Sequence, residues 1–419
     1  MTAELRTAEI IAVGSELLTP DRTDTNSLWL TGRLNEIGID VRAKAVVRDD
    51  RGDLAALFGQ ALARADVVVT TGGLGPTDDD LTREVVAGAL GLTLVEDPAI
   101  VASLRDRFAR RGWPMPEINR RQAQVPQGAI VLPNPNGSAP GLWMDAGAKV
   151  VVLLPGPPRE LQPMFDAEVN PRLVVRTSGR RVRRRAIKIT GRSESQVDEV
   201  AQPIYGPLAA AVPPMTTTIL ATPGQIELHL SATGSDVAEV DSALDAAVEK
   251  LRQALGSVVF SVDGRGLEAV VGDLLRERGW RVAAAESCTG GLLLGRLTDV
   301  PGSSDWVIGG VVAYSNDVKV RDLGVPPALI AEHGAVSEPV ARAMADGVRE
   351  RLGADVGVAI TGIAGPSGGS EAKPVGTVVI ALAGSAPVVK TFRFPGDRRT
   401  VRAHATAAAL DLIRRALGS

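Results

Sequence analysis

Apolar residues in this chain gather in short, strand-length runs that end at glycine or proline, and stretches of helical period follow them. "AEIIAVGSELL" is a β-branched run ending at Gly14, and a helical pattern extends from about Thr25 to Ile37. "IDVRAKAVV" predicts a second strand, "RGDLAALFGQALARA" a helix, and "DVVVTTGG" a buried strand that opens into a glycine loop. "LTREVVAGALG" and the stretch Ile100 to Arg111 predict helices, and "AKVVVLLPGPPREL" predicts strand, turn and helix. Strands alternating with helices predict a parallel sheet covered on both faces.

The texture changes between about Pro171 and Gly256. "RRRAIKITG", "TTTILATPG" and "QIELHLSATG" predict strands, flanked by helices near Ser193–Val200 and Asp236–Leu255, which makes a small α+β module. A second α/β pattern follows, with "RVAAAES", "WVIGGVVAYS", "DVGVAITG" and "GTVVIALAG" as strands and a terminal helix from about Arg398 to Leu417. The expected organisation is two α/β domains, 1–170 and 257–419, joined by an α+β module at 171–256. At 419 residues the chain is long enough for two or three domains.

Composition narrows the classes of function. With 45% hydrophobic residues the chain can fill its cores, and no apolar run reaches membrane-spanning length, so a soluble, cytoplasmic protein without membrane attachment is expected. A net charge of −3 and 3% aromatic residues argue against nucleic acid as a partner. Arg180, Arg181, Arg183, Arg184 and Arg185 form a local basic run, which is expected to be a solvated strand face. One cysteine excludes a disulfide framework, and only three histidines occur, His229, His333 and His404, of which His333 and His404 lack an acid-rich neighbourhood, so a catalytic triad is not expected.

Two stretches carry candidate chemistry. "TTGGLGPTDDDLTRE" follows a buried strand and opens a helix; Gly72, Gly73 and Gly75 let backbone approach a phosphate. Asp78, Asp79 and Asp80 could hold a divalent cation there, or simply favour the helix dipole. "VGSELLTPDRTDTN", with Glu16, Asp24 and Asn26, and "LPGPPREL" are expected at the same strand ends, where open α/β sheets bind ligands. Asp24 or Thr25 as a helix cap is the plainer alternative.

"RVAAAESCTGGLLLGRL" predicts strand, tight turn and helix, placing Ser287, Cys288 and Thr289 at a helix N-terminus. Free N–H groups there would stabilise an oxyanion and would also activate a thiol, so position alone leaves Ser287 and Cys288 both open as nucleophile. A cap at Ser287 or Thr289 beside a packed cysteine is the structural alternative. "AYSNDVKVRDLG" offers Tyr314 and Lys319, and a lysine whose pKa is depressed can serve as base. "ITGIAGPSGGSEAKPVGT" brings Thr361, Gly362, Gly365 and Gly376, and "FPGDRRTVRAHA" sets Arg398 and Arg402 one helical turn apart as a phosphate clamp.

The motifs "GSELL", "DTN", "TTGGLGPT", "DDLT", "LPGPPREL", "ESCTGG", "AYSNDVK", "TGIAGP" and "GDRRTVR" together resemble the CinA (competence/damage-inducible) family, and the likeness covers nearly the whole chain. The resemblance implies a molybdopterin-binding-like N-terminal fold with metal-dependent ADP-ribose pyrophosphatase activity, using magnesium, manganese or cobalt. Asp79 and Asp80 match the family's acidic pair, Glu16 and Asp24 are further candidate ligands, and Gly72, Gly73, Gly75 and Asn26 are candidate substrate contacts. Thr19-Pro20-Asp21-Arg22 departs from the glycine-containing turn usual there. The C-terminal part resembles nicotinamide-nucleotide amidohydrolase, which needs no cofactor and converts nicotinamide mononucleotide (NMN) to nicotinate mononucleotide and ammonia. By motif, Ser287 is then the nucleophile, Lys319 the base and Tyr314 its hydrogen-bonded neighbour. Thr289, Gly290, Thr361, Gly362, Gly365, Arg398 and Arg402 would contact the nucleotide. The family further implies a homodimer and leaves room for a recombination protein as partner. A non-enzymatic competence-associated binding protein, or a pterin-binding N-terminal domain, is the rival reading.

Overall fold

The computed structural model describes residues 4–418. Two compact units form: residues up to Arg183 with Ala232–Ser242, and Arg184–Ser231 with residues from Ala243 onward. The stretch 171–256, expected as one module, is thus divided between them.

In the first unit, β1 (Thr7–Val13), α1 (Thr25–Glu36), β2 (Asp40–Val47), α2 (Arg51–Arg64), β3 (Val67–Thr71) and α3 (Thr82–Ala89) follow the alternation read from the sequence. β4 (Leu94–Glu96), α4 (Pro98–Ala109) and β5 (Gln124–Pro126) come next, with β4 and β5 pairing antiparallel as a small separate sheet. β6 (Ile130–Leu132), β7 (Gly141–Ala146), β8 (Lys149–Leu154), α5 (Pro158–Met164) and α6 (Asn170–Val174) complete it. The six-stranded sheet has the order β2-β1-β3-β8-β7-β6. Every residue of β3 is buried, which is why the strand is apolar throughout apart from its two threonines and does not alternate. Ile10, Val67 and Val69 pack on one face with Leu30 and Leu34 of α1, and Ile11, Val13 and Val68 pack on the other with Leu54 and Phe58 of α2.

The sheet is mixed, where an all-parallel one was expected. β1, β2, β3 and β8 run parallel, but β7 pairs antiparallel with β8 and β6 with β7. The link from β7 to β8 is a tight turn around Gly147 at φ +66°, and only antiparallel neighbours can be joined so closely.

β9 (Arg181–Thr190), α7 (Glu194–Tyr205), β10 (Met215–Thr222), β11 (Gln225–Gly234), α8 (Val237–Leu255) and β12 (Val259–Ser261) form the α+β stretch, with sheet order β10-β11-β9-β12. The arginine run lies on β9, where Arg183 pairs with Asp241 and Arg185 with Asp245 of α8.

The remaining chain builds a five-stranded sheet from α9 (Leu267–Arg278), β13 (Val282–Glu286), α10 (Leu292–Thr298), β14 (Val307–Val312), α11 (Asn316–Leu323), α12 (Pro327–His333), α13 (Glu338–Leu352), β15 (Val356–Gly362), β16 (Thr377–Ala383), β17 (Val388–Arg393) and α14 (Arg398–Gly418). Its order is β14-β13-β15-β16-β17, parallel through β15 and antiparallel beyond. β13 is small and apolar up to its closing Glu286 and is fully buried: Val282 and Ala284 face α9 and α14, while Ala283 and Ala285 face α13. Among the described residues no helix is long and apolar enough to cross a membrane.

Candidate active site

The chain runs from β13 to β14 on one side and then returns to β15 on the other, so the strand order reverses between β13 and β15. Ligands of open α/β sheets bind at such a point. Ser287 stands there, directly after β13, with its N–H donated to the Ile360 carbonyl of β15 at 2.9 Å. Gly290 and Gly291 adopt φ of +59° and +95°, which turns the chain sharply into α10.

Lys319 comes from α11, behind the neighbouring strand β14. It is only 2% exposed, and its Nζ lies 3.3 Å from Ser287 Oγ, 2.8 Å from the Ala313 carbonyl and 3.3 Å from the Tyr314 carbonyl. Among the described residues no carboxylate pairs with it, and burial pushes its pKa below the usual lysine value. Nζ donates to all three oxygens; on losing a proton it would keep an N–H for each carbonyl and turn its lone pair to the Ser287 hydroxyl. Cys288 is placed differently. It belongs to the hydrophobic core, is 6% exposed, and burial pushes its thiol up to about 11, so it carries no thiolate at neutral pH.

Two expectations about this site need correction. The N–H groups that open α10 are already taken: the Glu286 carboxylate, 0% exposed, accepts from Gly291 at 3.0 Å, Leu293 at 3.1 Å and Leu294 at 2.9 Å. Of the turn amides, Gly290 donates to the Ser287 carbonyl and Leu292 to that of Thr289, while among the described residues Cys288 N–H meets only its own sulfur and Thr289 N–H meets no backbone carbonyl. Tyr314 meets Lys319 through its carbonyl only. Tyr314 is 61% exposed and its hydroxyl accepts from Arg398 at 2.8 Å, so its side chain does not stand between Lys319 and Ser287. Thr361 and Thr289 are both buried: the Thr361 hydroxyl donates to the Ala335 carbonyl at 2.9 Å, and the Thr289 hydroxyl has no partner among the described residues and does not cap α10.

Arg398 and Arg402, at the start of α14, tie the surrounding loops together. Arg398 also donates to the Gly365 carbonyl at 2.9 Å, and Arg402 to the Thr289 carbonyl at 2.7 Å. A Cβ on Gly362 would stand 3.0 Å from Cys288 Sγ and 2.8 Å from Val378, so this glycine is a packing requirement as well as a candidate contact.

The first unit has a comparable switch point between β1 and β3. Gly72 follows β3 at φ +93°, and a Cβ there would fall 2.2 Å from the Val13 carbonyl oxygen at the end of β1. Asn26 donates to the Gly156 carbonyl at 2.6 Å, and Gly156 lies against Gly72, so the three predicted loops do meet. The acids do not meet. Asp80 accepts from the Gly75 and Thr77 amides at 2.7 and 2.9 Å and from the Thr77 hydroxyl at 2.5 Å, bracing its own loop. Asp78 pairs with Arg121, and Asp24 caps α1 by accepting from the Ser27 amide at 3.0 Å. Asp79 and Glu16 are exposed. Among the described residues no group of three or more His, Cys, Asp and Glu is placed to hold a metal ion. The residues proposed as ligands therefore do not fit a divalent cation in this arrangement.

Two contributors were not anticipated. Arg83, buried at 3% exposure with its pKa lowered by burial to about 10, donates to the Leu74 carbonyl and holds the glycine loop from behind. Glu286 is the other, and an acid closing an otherwise apolar strand was its signal.

Comparison with known proteins agrees along the chain. Residues 9–174 match a probable molybdopterin binding domain, 184–261 the damage-inducible protein CinA KH domain, and 265–417 the CinA C-terminal domain. A CinA-like protein of Koribacter versatilis is 48% identical over 415 residues, covering 98% of this chain and 99% of its own. The chain belongs to the CinA family. Another CinA relative, a putative competence-damage inducible protein of Symbiobacterium thermophilum, is 46% identical over 423 residues and is covered to 98%, as is this chain. A CinA superfamily protein of Klebsiella pneumoniae with a crystal structure is 37% identical, spans 36% of this chain and 96% of its own, and superposes with a TM-score of 0.36.

Proposed function

We propose that the C-terminal part of this CinA protein hydrolyses the carboxamide of NMN to nicotinate mononucleotide and ammonia. The observation that carries the proposal is the buried Lys319 amine within hydrogen-bonding reach of Ser287 Oγ, with no carboxylate paired to it among the described residues. Neutral Lys319 accepts the Ser287 proton as Oγ attacks the carboxamide carbon. The Cys288 and Thr289 amides are the donors left to hold the oxyanion. Lys319 returns its proton to the departing ammonia, then takes one from the water that releases the acyl group. Arg398, Arg402 and the Gly362–Gly365 backbone are the groups proposed to receive the nucleotide.

For the N-terminal part the proposal is hydrolysis of ADP-ribose to AMP and ribose 5-phosphate in the presence of added divalent metal. Its support is the family membership and the glycine loop at the β1/β3 switch point. The test is incubation of purified protein with NMN, and separately with ADP-ribose plus magnesium, manganese or cobalt. Ammonia from the first and AMP from the second are expected. Absence of ammonia removes the deamidase assignment, and absence of AMP with every metal removes the pyrophosphatase. Turnover of neither moves the protein to the binding class that the competence-associated names of its relatives suggest.

A further inference from the structure

A second concavity lies in the unit that carries the serine–lysine pair. It is a cleft of about 780 Å³, between the turn leading into α7 with the β10–β11 hairpin on one side and β17 with α14 on the other. That volume falls within the range of small-molecule sites.

Its lining is unusual for this chain, in which aromatic residues make up only 3%. Phe392, Phe394 and His404 line it as a ladder of rings: Phe392 and Phe394 stack at 5.3 Å and 12°, and Phe394 and His404 at 5.4 Å and 12°. Burial lowers the pKa of His404, which keeps its ring neutral and suited to stacking. Two exposed cations, Arg192 and Lys390, border the same cleft, and neither has an ion-pair partner among the described residues. Arg415, by contrast, is held by Asp411 at 2.7 Å. Stacked rings with two unneutralised cations at the rim recognise a flat heterocycle that carries a phosphate.

We propose that this cleft binds a mononucleotide, with its base against the ring ladder of Phe392, Phe394 and His404 and its phosphate at Arg192 and Lys390. The KH-matching stretch contains no Gly-x-x-Gly tetrapeptide, the loop with which KH domains clamp nucleic-acid backbone, so a single nucleotide suits the site better than a strand. The cleft also shares α14 with the serine–lysine site: His404 follows Arg402 by two residues.

Titration calorimetry with AMP, adenosine and ribose 5-phosphate tests the assignment without reference to either proposed activity. AMP is expected to bind, and adenosine and ribose 5-phosphate at least ~10-fold more weakly, because each lacks one of the two recognised parts. Arg192→Glu, at an exposed position, and Phe392→Leu, which keeps bulk but removes the ring, should each weaken AMP by about 10-fold or more. Circular dichroism confirms that both variants remain folded, and Arg192→Glu alone decides the matter if Phe392→Leu does not. The proposal is overturned if AMP does not bind, if its affinity survives Arg192→Glu, which would place it elsewhere, or if ribose 5-phosphate binds as tightly as AMP.

Discussion

Two turns in this molecule are built alike and differ in what they can do. Each follows a fully buried parallel strand, β3 or β13, each sits where the strand order reverses, and each uses left-handed glycines to lead into a helix. Each is also braced by a carboxylate that accepts hydrogen bonds from its own turn or helix: Asp80 in the first, Glu286 in the second. Beyond the brace they diverge. The turn after β13 presents a serine to a buried lysine supplied by the next strand's connection, the pair proposed as nucleophile and base. The turn after β3 presents backbone and exposed acids but no nucleophile–base pair, so any chemistry there depends on what a ligand brings. The bracing acid makes the turn; the neighbouring connection decides whether the turn is reactive.

The sharpest way to break this contrast is at the nucleophile. Ser287→Ala should reduce ammonia release from NMN by about 10³-fold or more, whereas Cys288→Ala should keep most of it and lose only packing stability. The opposite result would make the core cysteine the nucleophile despite its raised pKa. The base comes next. Lys319→Met should cost about 10²- to 10⁴-fold, the range expected for a general base. Since the proposed base is the neutral amine, the wild-type rate should rise with pH as Lys319 loses its proton, then level off above its lowered pKa. Lys319→Arg stays charged throughout and should show no such rise. A wild-type rate that falls over the same pH range would exclude Lys319 as the base.

Much of this was legible in the sequence, and the gaps have physical causes. Strands β1, β3, β8, β13 and β15 are buried on both faces, so their runs of Val, Ile, Leu and Ala read directly. β17 was missed because Val388–Arg393 is an edge strand, half exposed, with no continuous apolar run. Ser287, Lys319, Arg398 and Arg402 could be picked out as residue types in glycine-rich turns or at helix starts, and the structure brings all four around one turn. Which atoms would meet was not legible. That Tyr314 acts through its carbonyl, or that Glu286 consumes the α10 amides, depends on backbone path and burial, which residue identity does not encode. The acidic cluster misled for the same reason: three adjacent aspartates look like a ligand set, but consecutive side chains point in different directions, and Asp80 turned back on its own loop.

The two braces supply a smaller and more discriminating test. Glu286 is wholly buried and meets three N–H donors, so Glu286→Gln replaces one acceptor oxygen by an amide that can only oppose them. The cost should be about 2–4 kcal/mol in urea unfolding, accompanied by faster amide exchange at Gly291, Leu293 and Leu294 and by loss of most ammonia release. Asp80 is partly exposed, and water can replace what its variant gives up. Asp80→Asn should therefore cost no more than about 1 kcal/mol, with faster exchange confined to Gly75 and Thr77 and ammonia release unchanged. Equal costs at the two positions would mean that burial does not set the strength of the brace. In that case the stability of the reactive turn would have to come from the Arg402 contact to the Thr289 carbonyl instead.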